Sequence, residues 1–111
     1  AGGGGGAAGA GTDAVSTTGG GGAGLSLDIT GSSVTYAAGG NVNAPTETGA
    51  ANTGQGGGGS GPDAANGKAG GSGVVIIRTP ASHAAISGTY TLTTDGGWNI
   101  YKFTGNGTIR F

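Results

Sequence analysis

From Leu25 the chain alternates. Leu25, Leu27 and Ile29 are separated by Ser26 and Asp28, Gly31-Ser32 interrupts, and Val34 and Tyr36 resume the period of two. Such alternation places every second side chain on one face of a strand, so residues 25–36 predict a β-hairpin with one buried face. Val74-Val75-Ile76-Ile77-Arg78 is instead a continuous β-branched run, which predicts a strand covered on both faces and ended by Pro80. Tyr90 and Leu92 alternate up to a turn at Asp95-Gly96-Gly97. Trp98, Ile100, Tyr101 and Phe103 follow, and the period slips between Ile100 and Tyr101, which predicts either a bulge or a strand buried on both faces. Gly105-Asn106-Gly107 reads as a further turn into Thr108–Phe111. Residues 74–111 therefore predict a small antiparallel β meander packed with the Val74–Arg78 strand.

The rest of the chain has little side chain to pack. Of 31 glycines, 26 lie in residues 1–73, whereas 13 of the 20 large apolar residues (Val, Ile, Leu, Phe, Tyr, Trp) lie in residues 74–111. Two regimes share the chain, with a boundary near Gly73-Val74. Glycine carries the largest ordering cost of any residue, so the first regime needs compensation other than side-chain burial. Its clusters at Gly2–Gly6, Gly19–Gly24, Gly56–Gly61 and Gly70–Gly73 are irregularly spaced, which excludes a solenoid, and three prolines are too few for collagen. Glycine runs can adopt the left-handed threefold extended helix and bond one another through main-chain groups, because no Cβ holds them apart. The expected fold class is thus mainly β and irregular: a polyglycine-II helix bundle over residues 1–73, with hairpin 25–36 embedded, and a C-terminal β meander over 74–111 packed on it as one compact unit.

Charge and composition narrow the function. Four Lys and Arg against five Asp and Glu give a net charge of −1, which argues against capture of nucleic acid. The charges are segregated: Asp13, Asp28, Glu47 and Asp63 precede Lys68, while Arg78, Lys102 and Arg110 outweigh Asp95 after it. The mild dipole would favour head-to-tail contacts or reflects chance alone. No cysteine is present, so disulfides and thiolate metal sites are excluded. No segment reaches the roughly 18–20 apolar residues of a membrane span. The start at Ala1-Gly2, without Met or a basic leader, reads as a piece of a longer product.

Four stretches, GLSLDITGSSVTYAAGG, ANTGQGGGGSG, AGGSGVVIIR and TDGGWNIYKFTGNGTIRF, resemble in order the glycine-rich domain of bacteriophage tail-fibre and tail-tip proteins and of some bacterial surface proteins. The resemblance spans about residues 15–111. It implies a structural and adhesive, receptor-binding role outside the cell on the virion, and supports the polyglycine-II reading. That family often opens with a strand of the V-x-V-L-V-V-G-G kind, absent here, which the resemblance would place upstream or on a neighbouring copy.

Enzyme chemistry finds no support in the residues. Gly19-x-Gly21-x-x-Gly24 matches a dinucleotide fingerprint by count but lacks the strand before it and the helix after it. Near Gly67-Lys68, Pro62 and Ala69 replace the glycine and hydroxyl that a phosphate loop requires. His83 beside Ser82 has no carboxylate placed to orient it, and the five carboxylates are scattered. Asn106-Gly107-Thr108 fits a glycosylation sequon that a tight turn explains equally well. A flat ice-binding face would need more threonines than Thr91 and Thr93. The chain is therefore expected to be non-enzymatic, with no cofactor and no metal. Surface recognition remains, because aromatic rings and amides suit adaptable contacts. The candidate receptor-binding residues are Tyr36, Asn41, Asn43, Asn52, Trp98 and Tyr101, although Trp98 and Tyr101 also fit a sheet core or subunit contact. Asn52→Ala is expected to leave stability intact. Expected partners are further copies of the chain, most simply as a trimer, other tail or fibre proteins, and a host-surface glycan or outer-membrane protein. The alternative is a subunit of a bacterial or viral surface filament assembled through β-strands.

Overall fold

The computed structural model describes residues 2–15, 17–44, 46–60 and 66–111. Gly61, Pro62 and Asp63, which entered the glycine-cluster, phosphate-loop and charge readings, lie outside them. Five strands follow in order: β1 (Leu25–Leu27), β2 (Val34–Tyr36), β3 (Val75–Thr79), β4 (Ala85–Asp95) and β5 (Trp98–Arg110). They form a two-stranded sheet, β1-β2, and a three-stranded sheet in the order β3-β5-β4. The chain divides into two compact units, one of residues 1–26 and 35–73, the other of 27–34 and 74–111.

The expected polyglycine-II helix bundle is not formed. No described residue is helical, and the fold is all-β, with two small antiparallel sheets as its regular structure. The physical reason lies in the interruptions: Ala, Thr and Asn break the glycine runs, and the chain turns at Glu47 N–H to Ala44 O (3.0 Å) and Thr53 Oγ1 to Ala50 O (2.7 Å) before a repeat can build up. The first unit is irregular extended chain joined by single main-chain bonds. Gly4 N–H donates to Gly40 O (3.0 Å), Gly22 N–H to Gly4 O (2.8 Å) and Gly39 N–H to Gly22 O (2.9 Å), so three segments satisfy one another around a triangle. Gly56 N–H to Ala38 O (2.8 Å), Gly71 N–H to Gln55 O (2.7 Å) and Lys68 N–H to Gly58 O (2.8 Å) add later segments. The buried described residues of this unit are Gly19, Gly22, Gly39, Gly49 and Gly58. Its fully buried described positions are thus main chain alone, and its other described residues are exposed or half-buried.

The second unit has a conventional core of Ile100, Tyr101 and Phe103, at 2%, 1% and 7% exposure. All three lie on β5, the central strand, which pairs antiparallel with β3 (Ile77 opposite Tyr101, Arg78 opposite Ile100) and with β4 (Leu92 opposite Tyr101, Thr93 opposite Ile100). The slipped period at Ile100-Tyr101 therefore marks a strand buried on both faces. The irregularity sits elsewhere, between Gly88 and Tyr90, where Thr89 stands against residues 104–106. Gly88 has φ +106°, a backbone open only to glycine, and a Cβ there would overlap Asn106 O. The expected turn at Gly105-Asn106-Gly107 does not exist, because β5 runs through it. A Cβ on Gly107 would lie 2.6 Å from Phe103 Cε1, so this glycine makes room for a ring.

The sheet is not a meander in its strand order, since β3 adds beside β5 rather than beside β4. As an edge strand β3 is only partly covered, with Val75 60% exposed, which corrects the expectation of burial on both faces. The Gly96-Gly97 turn forms as expected, with φ +53° and +84°, the left-handed pair that a two-residue hairpin turn requires. Hairpin β1-β2 also forms, and Ser26 and Thr35 hydroxyls bond across it at 2.8 Å. Its predicted buried face does not: Leu25 and Leu27 are 46% and 42% exposed. The turn falls at Asp28–Gly31, closed by Gly31 N–H to Asp28 O at 2.8 Å.

Candidate recognition face

Register builds this site from residues far apart in the chain. The two-residue turn sets Asp95 opposite Trp98, and β3 brings Arg78 opposite Ile100, so the three side chains share one face of the sheet. The Arg78 guanidinium carbon stands 5.5 Å from the centre of the Trp98 ring, and Arg78 Nη2 lies 3.5 Å from Asp95 Oδ2. Trp98 is 41% exposed, so the ring is not core. A Cβ on Gly96 or Gly97 would meet nothing within 4 Å, so the turn itself is bare, whereas one on Gly31 would stand 3.6 Å from Asp95 Oδ2. An exposed ion pair contributes little to stability, about 0–1 kcal/mol. Its effect here is to hold a donor fork and an acceptor beside an aromatic plate.

The other candidate residues are used differently. Tyr101 is withdrawn from the recognition set, because at 1% exposure no partner can reach it. Its hydroxyl accepts the His83 N–H (3.1 Å) and stands 3.1 Å from His83 Nδ1, while His83 and Phe111 set ring edges against it at 5.5 and 5.8 Å. This also gives His83 a structural role: it ties the connector before β4 to the central strand. Asn41 organises the glycine segments, its Oδ1 accepting Gly21 N–H and its Nδ2 donating to Glu47 Oε2, both at 2.7 Å. Asn43 occupies a turn with φ +55°.

Asn52 has φ +61°, donates its N–H to Ser72 Oγ (2.9 Å) and accepts from the same hydroxyl at Oδ1 (3.2 Å). The expectation that Asn52→Ala leaves stability intact is therefore revised. Alanine tolerates the left-handed region poorly, and the variant should lose about 1–2 kcal/mol in denaturant melts. Tyr36 is half-buried on β2, and its hydroxyl is buried without a hydrogen-bond partner among the described residues. Removing an unpaired buried hydroxyl relieves its desolvation cost, so Tyr36→Phe should raise stability by up to about 1 kcal/mol, read as an increase in melting temperature. A lower melting temperature would show that the hydroxyl has a partner in solution.

By sequence alone Arg78 falls in a strand and Asp95 in a turn, and neither is joined to Trp98. The Gly-Gly turn carried the Asp95–Trp98 half of that signal, since a two-residue loop makes its flanks face each other. The Arg78 half depends on β3 pairing with β5. A second surface feature is a cleft of about 440 Å³ lined by Val75, Ile77, Phe103, Gly107 and Ile109, alongside β5 residues 104–110, where no described strand pairs on the side away from β4. Among the described residues no group of three or more His, Asp or Glu could hold a metal ion. No family model, curated protein or solved structure matches the chain.

Proposed function

We propose that the chain is a non-enzymatic structural and adhesive module of a bacteriophage tail fibre or tail tip that binds a host-surface receptor. The observation that carries this reading is the interior of the first unit. Its fully buried described positions are all glycines and its segments are joined by main-chain bonds, so its described side chains are exposed or only partly covered. An enzyme needs a cleft in which acids, bases or nucleophiles converge. Here a surface groove of the first unit, about 460 Å³, is lined mostly by glycine and alanine, and His83 is engaged by Tyr101. The second unit adds an exposed aromatic with flanking charges, a composition suited to binding. The resemblance of the four sequence stretches to tail-fibre glycine-rich domains points the same way.

A surface filament is the second reading, favoured by the unpaired flank of β5 and its apolar cleft, since free strand edges join copies. Sedimentation separates the two. The adhesive module is expected to form a closed oligomer, a trimer in the simplest case, of constant size with concentration, and to adsorb to bacterial cells. Polymers that lengthen with concentration would instead favour the filament.

A further inference from the structure

We propose that the Trp98–Arg78–Asp95 face is a binding site for a neutral pyranose sugar. The proposal rests on the adhesive reading for its biological setting but not for its chemistry. A pyranose presents two kinds of surface: a patch of ring C–H groups, and a rim of hydroxyls that each donate and accept hydrogen bonds. The site offers a counterpart to each. Trp98 is 41% exposed, and since Arg78 stands over one face of its ring, the remaining exposed indole surface is the flat apolar plate offered to the sugar, at a low ordering cost because the side chain has only two rotatable bonds. The Arg78 guanidinium carries five N–H donors in a fixed fork, held at 5.5 Å from the ring and 3.5 Å from Asp95, so it is pre-positioned before a ligand arrives. Asp95, with 55% of its side chain exposed, supplies carboxylate oxygens that accept from hydroxyls.

The charges select within the sugars. Arg78 and Asp95 cancel, so an acidic sugar gains an attraction and meets a repulsion at the same place, whereas a neutral one meets neither. The bare Gly96-Gly97 turn adds access, because no side chain there stands in the ligand's path.

Trp98 is the sole tryptophan, so its fluorescence reports on this site alone. Intact protein is titrated with maltotriose and with the trimer of N-acetylglucosamine as neutral probes, and with trigalacturonate as the acidic one; variants are read by titration calorimetry. A saturable change in emission with at least one neutral trisaccharide is expected, with trigalacturonate binding no more tightly. Asp95→Asn and Arg78→Gln should each weaken that binding by about 2- to 12-fold, the range for one net hydrogen bond. Trp98→Ala should weaken it by about tenfold or more. If Trp98→Ala fails to fold, the exposed Asp95 position still carries the test. The proposal is overturned if no neutral trisaccharide gives a saturable change, if binding is unaltered in Asp95→Asn and Arg78→Gln, or if the acidic trimer binds more tightly. Cell adsorption is scored separately. Adsorption that survives Trp98→Ala, without sugar titration, removes this site and leaves the adhesive reading. Titration without adsorption keeps the site and removes the fibre setting.

Discussion

Gly39→Val is expected to unfold the glycine-rich unit or cost more than about 3 kcal/mol, above the usual penalty for an overpacked core. Gly39 is buried, and a Cβ on it would overlap the Gly4 carbonyl oxygen and lie 2.8 Å from Gly22 N. Those are the atoms of the triangle in which Gly4, Gly22, Gly39 and Gly40 exchange hydrogen bonds. In a side-chain core an extra methyl group is met by rotamer changes. Here the obstacle is backbone on all sides, so relief requires separating segments and breaking the bonds between them. Gly57→Val should behave alike, since its Cβ would overlap Lys68 O and stand 2.6 Å from Ala69 O. Gly5 and Gly73 provide the comparison: a Cβ on either meets nothing within 4 Å, and alanine there should change stability by less than about 0.5 kcal/mol. Denaturant melts and amide exchange across residues 2–60 measure the contrast. Equal stability of Gly39→Val and Gly5→Ala would mean that the main-chain interior does not hold in solution.

Tyr101→Ala is expected to destabilise the second unit by about 3–5 kcal/mol, the range for emptying a large buried aromatic site. The ring is 1% exposed at the centre of the three-stranded sheet and is touched by His83 and Phe111. Its hydroxyl is also the acceptor for His83 N–H, so truncation leaves that donor unpaired. Tyr101→Phe separates the contributions. It keeps the ring and removes the acceptor, and should cost about 1–3 kcal/mol, the penalty for one stranded polar group. If Tyr101→Phe melts like the parent, the connector carrying His83 is not held by this bond.

These two variants test two interiors of different kinds, and their legibility in the sequence differed accordingly. The β-branched and aromatic residues of 74–111 announced strands, and Gly96-Gly97 announced the turn that sets Asp95 against Trp98. The apolar pair at Ile100-Tyr101 left two readings, a bulge or a strand covered on both sides, and the structure decided for the second. Gly105 and Gly107 misled, because glycine marks a turn when the chain reverses and a close approach when it does not. Nothing local tells these apart: the Phe103 ring that needs Gly107 bare is placed by the pairing of Phe103 with Val75 and Tyr90.

Composition by itself determined that residues 1–73 could not bury an ordinary core, and that any order there had to come from main-chain pairing or from surface buried between copies. It did not determine the form of that order. Main-chain groups are chemically alike in every glycine, so no residue type records which N–H meets which carbonyl. Only the tertiary structure decided that irregular extended segments, and not a regular helical bundle, satisfy them. For the same reason the candidate amides proved to be partly builders of the scaffold: whether Asn41 or Asn52 faces a partner or its own backbone depends on which segment lies alongside. Trp98 gained its neighbour Arg78 in this way too, through the pairing of Arg78 with Ile100, twenty-two positions apart.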